Sequence, residues 1–376
     1  MRQQATFGKG SIQQLRDILT QEHAKRILLV CGKDSFRTSG AEGVLMPLLK
    51  GAETVRFSEF AQNPKIEDIQ CGIDLARAFN PDIVLAVGGG SVLDMGKLIN
   101  LLAHQEGDLG ALIRGEAPLH PSRTPLVAVP TTSGTGSEAT HFAVAYIGHA
   151  KYSVAHAAAL PPYALIDPDL TMRMPPRLTA ITGLDALCQA IESYWAVGAT
   201  DESRAYAEEA IALIMASLHR AVNAPTVESR RDMAYGAHLA GKAINISKTT
   251  APHALSYTLT SYYGVPHGHA VALTLGKCIL ANARAASDQI LHPSGAQFQS
   301  TIMRRLYNAF GASSPEDCDK RWQELVASIG LESRIAEVGI SSPHDLERIV
   351  SKVNLERLSN HPVRLSAKAL YEVLAI

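Results

Sequence analysis

The sequence has little charge imbalance, few aromatics, few cysteines and no long apolar run, and each shortage excludes something. Thirty-five Lys and Arg face 36 Asp and Glu, a net charge of -1 over 376 residues. No global field therefore draws the chain to nucleic acid or to an anionic membrane surface. The longest apolar runs, such as Ile83-Val84-Leu85-Ala86-Val87, have the length of a strand and fall far short of a bilayer span. Met1-Arg2-Gln3-Gln4 contains nothing like the apolar stretch of a secretory leader. Cys31, Cys71, Cys188, Cys278 and Cys318 show no CxxC spacing, which argues for reduced thiols rather than a disulfide framework. With 46% hydrophobic and 19% charged residues, the composition is that of a globular chain with ample core. The expectation is a soluble cytoplasmic protein.

What is present begins with alternation. Arg26 to Gly32, Glu53 to Glu59, Asp82 to Val87 and Pro125 to Val129 read as strands, and Ile66 to Phe79 and Ser91 to Ala103 as helices between them. Strands alternating with helical crossovers predict a parallel α/β sheet covered on both faces. After Met174-Pro175-Pro176 the chain turns Ala- and Leu-rich. Ala207, Ala210, Ile211, Ile214, Met215 and Leu218 fall on one helical face, and no β alternation returns. The predicted organisation is an α/β dinucleotide-binding domain over 1–175 and an all-α metal and substrate domain over 176–376.

Two glycine-rich loops follow apolar strands, where open α/β sheets bind their ligands. Gly88-Gly89-Gly90-Ser91 opens the helix that carries Asp94 and Lys97. Three glycines let the backbone approach a diphosphate, and the helix amides attract it. Thr131-Thr132-Ser133-Gly134-Thr135-Gly136-Ser137-Glu138 suits a ribose or a nicotinamide edge. Two similar-looking patterns fail. Gly90 to Lys97 is one residue too long for a P-loop, and Leu98 stands where a hydroxyl is needed. Gly134 to Ala139 matches GxGxxA without an acidic residue about twenty positions on.

The second half holds a metal-like set. Asp185 and Gln189 are four apart on one helical face, and His253 and His267 follow in Ala-Pro-His-Ala and Val-Pro-His-Gly-His contexts. Aspartate and histidine suit Fe or Zn, with an open position able to polarise a substrate oxygen.

Together these residues resemble the iron-containing alcohol dehydrogenase family. Gly88 to Lys97 is similar to its GGGSxxDxxK motif, Pro130 to Glu138 to its PTTxGTGSE loop, and Ile166 to Thr171 to its DPxLT segment. Gly183 to Leu187, His253 and His267 resemble its metal-site motifs, and Asn63-Pro64 its active-site Asn-Pro. The resemblance runs from about residue 26 to residue 277 in order. It implies a dinucleotide domain, a helical metal domain and an active site in the cleft. The implied chemistry is metal-assisted hydride transfer between a nicotinamide and a small aldehyde or primary alcohol. The implied cofactor residues are Gly32, Lys33, Ser35, Gly88, Gly89, Gly90, Ser91, Asp94, Thr131, Thr132, Thr135, Ser137 and Lys151.

The chain departs from the pattern at two places. Gln189 stands where the family has histidine. Fe2+ or Zn2+ is then held by Asp185, His253 and His267 with Gln189 as a weaker fourth ligand or a supporting group, or the site works without metal. Tyr257 stands where many members have histidine, and either relays a proton or packs against the cofactor; His269 or solvent is the other proton source. At the end of the first strand the chain has Gly32 with Lys33, Ser35 and Arg37, where many NAD-using relatives carry aspartate. Removing the anion favours a 2′-phosphate, so NADP(H) is expected, with NAD(H) used less well. Asn63, Lys248 and Thr249 are the expected substrate residues. The run Asn245 to His253 and Gln189 are similar to the phosphonoacetaldehyde reductase subgroup, linking the chain to phosphonate chemistry. Sulfoacetaldehyde, an unsubstituted short aldehyde, a dehydroquinate synthase-like lyase reaction and a non-catalytic nucleotide binder are the alternatives. A homo-oligomer, as a dimer, is expected.

Overall fold

The computed structural model describes residues 3–122 and 124–374. Met1 and Arg2, the start of the segment read for a leader, lie outside them. The chain divides into two compact units, Met1–Met174 and Pro175–Ile376.

The first unit is built on a six-stranded, fully parallel sheet. Its strands are β1 (Gln4–Phe7), β2 (Arg26–Cys31), β3 (Glu53–Phe57), β4 (Ile83–Gly88), β5 (Leu126–Pro130) and β8 (Tyr163–Ile166), in the order β1-β8-β5-β4-β2-β3. The near-continuous apolar runs of β2, β4 and β5 follow from burial on both faces. Leu28, Val30, Val84, Ala86, Leu126 and Ala128 pack with residues of the Ile66–Phe79 and Gly90–Leu102 helices. The alternate residues Ile27, Leu29, Ile83, Leu85, Val87, Val127 and Val129 join Ile12, Leu15, Phe36 and Leu45 on the other face. Each such Val, Leu or Ile contributes about 1.5–3 kcal/mol by leaving water.

The chain runs from β2 out to the edge strand β3 and returns on the other side of β2 as β4. The strand order therefore switches between β2 and β4, the place where such sheets take ligands. Cys31 pairs with Val87, and Gly88 with Pro130. The loops after β2, β4 and β5 thus leave the sheet side by side.

Two features were not legible in advance. A hairpin, β6 (Phe142–Ile147) with β7 (Ala150–Ala155), forms a separate two-stranded sheet and carries Lys151 opposite Tyr146. Strands β1 and β8 are only four residues each, too short for period-2 alternation to stand out.

The second unit is helical. Its main helices are Pro176–Trp195, Asp201–Asn223, Val227–Ser247, Ala251–Tyr263, His267–Arg284, Gly295–Ala309 and Pro315–Ser328. Their ends are encoded locally. Thr200 with Ser203 and Thr226 with Ser229 form reciprocal caps, Pro176 and Pro315 open their helices, and Gly264 at φ 70° closes another. Trp195 and Trp322 are the largest buried side chains, and each satisfies its indole N–H: Trp195 on Thr250 Oγ1 and Trp322 on the Ala272 carbonyl, both at 2.9 Å. Among the described residues this unit has no strand, only an isolated bridge from Ile290 to Val363. No described helix is long and apolar enough to cross a membrane.

Candidate active site

The candidate cofactor residues lie at the β2–β4 switch. Gly89, in extended conformation, precedes the Gly90–Leu102 helix, and no side chain caps that end. The Val92 and Leu93 N–H groups already donate to the Gly89 carbonyl at 2.9 and 3.1 Å, so the amides of Gly90 and Ser91 and the positive dipole end are what this terminus offers an anion. A Cβ on Gly90 would stand 2.7 Å from Thr135 Oγ1, and one on Gly89 3.3 Å from Thr132 Cγ2. Only glycine lets the two loops lie against each other. Of the second loop, Thr132 and Thr135 are partly exposed, whereas Thr131 is buried with its N–H on the Gly88 carbonyl.

Asp94 and Ser137, expected at the cofactor, are spent on holding these loops together. Ser137 Oγ donates to Asp94 Oδ1 at 2.6 Å, and the Val144 N–H to Oδ2 at 3.0 Å. Desolvation pushes the Asp94 carboxyl up, opposed by Lys97, by its hydrogen bonds and by Lys151. Lys97 is buried and donates to the Thr140 carbonyl, Thr140 Oγ1 and the Phe142 carbonyl at 2.8–3.0 Å. Burial brings its ammonium down to about 8 against the pull of Asp94 and Glu138. Asn63, at φ 65°, donates its backbone N–H to Ser91 Oγ at 3.3 Å, which sets the Asn-Pro turn against the same helix end.

At the end of β2, a Cβ on Gly32 would collide with Ser35 Oγ and stand 3.3 Å from Ser35 Cβ. Ser35 fills the space a longer residue 32 would use. Lys33 is exposed and ion-paired with Glu59 at 2.9 Å, and Arg37 is exposed. Sequence reasoning missed Arg56, whose guanidinium donates to the Gly32 and Lys33 carbonyls at 3.3 and 3.0 Å. Only the parallel β2–β3 register brings that cation to this loop.

A separate group of candidate site residues lies wholly in the helical unit. Asp185 and Gln189 project from the Pro176–Trp195 helix, His253 from the first turn of Ala251–Tyr263, and His267 from the start of His267–Arg284. One ligand atom each from Asp185, His253 and His267 lies within 4.8 Å of the others. Asp185 and His253 are buried and His267 partly so. Gln189 is buried one turn from Asp185, and its Oε1 meets no hydrogen-bond partner. One carboxylate, two imidazoles and an amide oxygen without a donor fit a divalent cation of the Fe or Zn kind.

The surroundings fix these side chains. His253 Nε2 stands 3.5 Å from Asp185 Oδ1, while its Nδ1 bonds Glu192 Oε2. Burial alone would lower this imidazole, but the carboxylates of Glu192 and Asp185 outweigh it and hold it up to about 9. The His253 and His267 rings meet edge to face at 5.4 Å, Ser256 Oγ is 3.4 Å from His267 Nδ1, and the Tyr257 ring lies 6.3 Å from that of His267. Glu192, fully buried, also accepts the Thr250 N–H, Thr250 Oγ1–H and His253 N–H on Oε1 at 2.9, 3.0 and 3.3 Å. Its only signal in the sequence is spacing: it follows Asp185 by seven and Gln189 by three, which places all three on one helical face.

Two expected residues lie elsewhere. His269 turns away from the cluster, buried with its Nε2 2.7 Å from the Glu332 carbonyl and its pKa lowered by burial. That carbonyl and the position two residues after His267 on the helix, on another face, account for the turn. Lys248, at φ 61°, is half exposed and ion-paired with Glu356 at 2.7 Å rather than presented as an unpaired cation. Of the three hydroxyls in its run, Ser247 is engaged with Ser193 and Thr250 with Glu192, leaving Thr249, buried.

The sequence model described as iron-containing alcohol dehydrogenase matches residues 3–168, and that of the Fe-containing alcohol dehydrogenase family, C-terminal, matches residues 179–375. A long-chain-alcohol dehydrogenase 1 of Geobacillus thermodenitrificans is 32% identical over 345 residues, 89% of this chain and 84% of that protein. An NAD-dependent methanol dehydrogenase of Bacillus methanolicus is 30% identical over 347 residues, 91% of this chain and 89% of that protein. The crystal structure of sulfoacetaldehyde reductase from Bifidobacterium kashiwanohense in complex with NAD+ superimposes with a TM-score of 0.88 at 27% identity, covering 99% of this chain and 96% of that one. The chain belongs to the iron-containing alcohol dehydrogenase family. It is an oxidoreductase of the alcohol dehydrogenase and aldehyde reductase type that works with a nicotinamide cofactor.

Proposed function

We propose that the protein reduces a short aldehyde, one bearing a phosphonate or sulfonate on its second carbon, to the primary alcohol, with NADPH as the preferred donor and a divalent cation held by Asp185, Gln189, His253 and His267. The observation that carries this reading is the convergence of the carboxylate and two imidazoles beside the orphaned Gln189 oxygen. The nicotinamide supplies the hydride. A divalent cation in this donor set supplies stabilisation of the negative charge that develops on the substrate oxygen.

The chain's own residues do the rest. Gly88 to Ser91, through the amides of Gly90 and Ser91, receive the diphosphate, with Thr132 and Thr135 beside it and Lys151 near Asp94. Gly32, Ser35, Lys33, Arg37 and Arg56 favour the phosphorylated ribose. Tyr257 keeps its phenol beside His267 and hands a proton to the product oxygen. Asn63 and Thr249 contact the substrate. Lys248 takes the anionic end after leaving Glu356, a surface pair worth about 0–1 kcal/mol. The similar sulfoacetaldehyde reductase supports an anionic substrate. The five free thiols fit a reducing cytoplasm, and a homodimer is the proposed assembly.

The test is metal analysis of the purified protein followed by NADPH and NADH oxidation with phosphonoacetaldehyde, sulfoacetaldehyde and propanal. Stoichiometric Fe or Zn with faster turnover of the anionic aldehydes is expected. Preference for propanal removes the anionic substrate, and turnover by metal-free protein removes the metal.

A further inference from the structure

Glu192 is a fully buried carboxylate with four donors aimed at it, and the described residues put no lysine or arginine in an ion pair with it. Oε1 accepts from the Thr250 N–H, the Thr250 hydroxyl and the His253 N–H, and Oε2 faces His253 Nδ1. A carboxylate buried this deeply is costly unless its hydrogen bonds are used. Two of these bonds secure the start of the Ala251–Tyr263 helix, which Thr250 does not cap with its own side chain. The fourth goes to the imidazole whose other nitrogen faces Asp185.

We propose that Glu192 is the positioning residue of the metal centre, holding the His253 proton on Nδ1 so that the Nε2 lone pair points at the space shared with Asp185 and His267. This rests on the reading of that trio as a cation site. The chemistry follows from donor and acceptor inventory. A carboxylate accepts on both oxygens, so it satisfies the backbone and the Nδ1–H together. An amide has one acceptor. If its oxygen takes the three donors at Oε1, its NH2 faces Nδ1 and forces the ring proton onto Nε2, toward the cation. If it flips, the NH2 collides with three donors. Partners of this kind on ligating histidines fix the tautomer and raise ligand basicity, and losing one weakens metal binding about 10- to 100-fold.

The experiment strips the full-length protein of metal and titrates it with Co2+ against a competing chelator, alongside thermal unfolding and NADPH titration. Glu192→Gln is expected to raise the Co2+ dissociation constant about 10- to 100-fold, with NADPH affinity unchanged. Glu192→Asp, which keeps a carboxylate, recovers part of the loss. Thr250→Val removes one donor to Oε1 without touching the imidazole; it lowers the unfolding temperature but leaves Co2+ affinity as it was. If Glu192→Gln binds Co2+ as tightly as the native protein, or Thr250→Val weakens Co2+ as much as Glu192→Gln, the proposal fails. Should Glu192→Gln not fold, Glu192→Asp is compared with Thr250→Val, and equal Co2+ affinities overturn the assignment. Native protein that ignores Co2+, or His267→Ala that binds it normally, instead overturns the metal site itself.

Discussion

Gly268 lies so close to Asp185 that a Cβ on it would stand 2.8 Å from the Asp185 Cβ and inside contact distance of the Ile181 carbonyl. The absence of one methyl group lets the His267–Arg284 helix begin against the helix that carries Asp185, and so brings His267 to its partners. Gly268→Ala should push the helices apart and cost about 1–3 kcal/mol by overpacking. Metal content should fall well below one ion per chain while circular dichroism stays helical. Full metal content in this variant would mean the close approach is not what assembles the site.

His267→Ala should reduce turnover to background while NADPH still binds, because every proposed cofactor residue lies in the first unit. Stopped-flow reduction and a fluorescence titration of NADPH separate the two effects. Retained turnover would remove the metal-assisted reaction.

Metal uptake should depend on pH through His253. Its imidazole is held up to about 9 in the metal-free protein, so at neutral pH a cation must displace a proton. About one proton should be released per ion at pH 7, read with an indicator dye in weak buffer, and affinity should fall as pH falls below 9. Stability runs the other way. A pKa raised above its unfolded value contributes most below about 6.5 and loses that contribution as pH rises through 9. The unfolding temperature of the metal-free protein should therefore decline across that window, and the decline should vanish in His253→Ala.

Cofactor choice should turn on Gly32. Gly32→Asp needs room, because Ser35 fills the space, so the informative variant combines it with Ser35→Ala. The ratio of kcat/KM for NADPH over NADH should drop about tenfold or more, equivalent to about 1.4 kcal/mol. An unchanged ratio would place the ribose away from the β2 loop.

Lys248→Ala removes a half-exposed ion pair and should shift the unfolding temperature little. If the lysine leaves Glu356 for the substrate, KM for the anionic aldehydes should rise while that for propanal stays constant. A uniform effect would leave Lys248 as a helix-end residue.

The parallel sheet and the helical unit were legible because their signals are local. Buried strands such as Arg26–Cys31 read as apolar runs, and Ile66–Phe79 shows its helical period directly. Asp185, His253 and His267 could be named from motif spacing. What spacing could not give is where a side chain spends its hydrogen bonds. Asp94 looked like a cofactor residue, yet its oxygens hold Ser137 and Val144. Lys248 looked like an anion binder, yet it reaches Glu356, 108 residues along the chain. His269 looked like an acid, yet it is fixed to the Glu332 carbonyl. Arg56 and Glu192 were passed over because their importance comes from strand register and helix packing.

The depth of Asp185 and Glu192 also bears on oxidation state. With His253 neutral, these two buried carboxylates bring a charge of −2 to the centre, and the amide of Gln189 adds none. A divalent ion makes the whole assembly electrically neutral, so little uncompensated charge is buried. Loss of one electron from a ferrous ion held there would leave a net positive charge beside buried side chains. An iron held there would therefore be better matched in charge as the ferrous ion than as the ferric one.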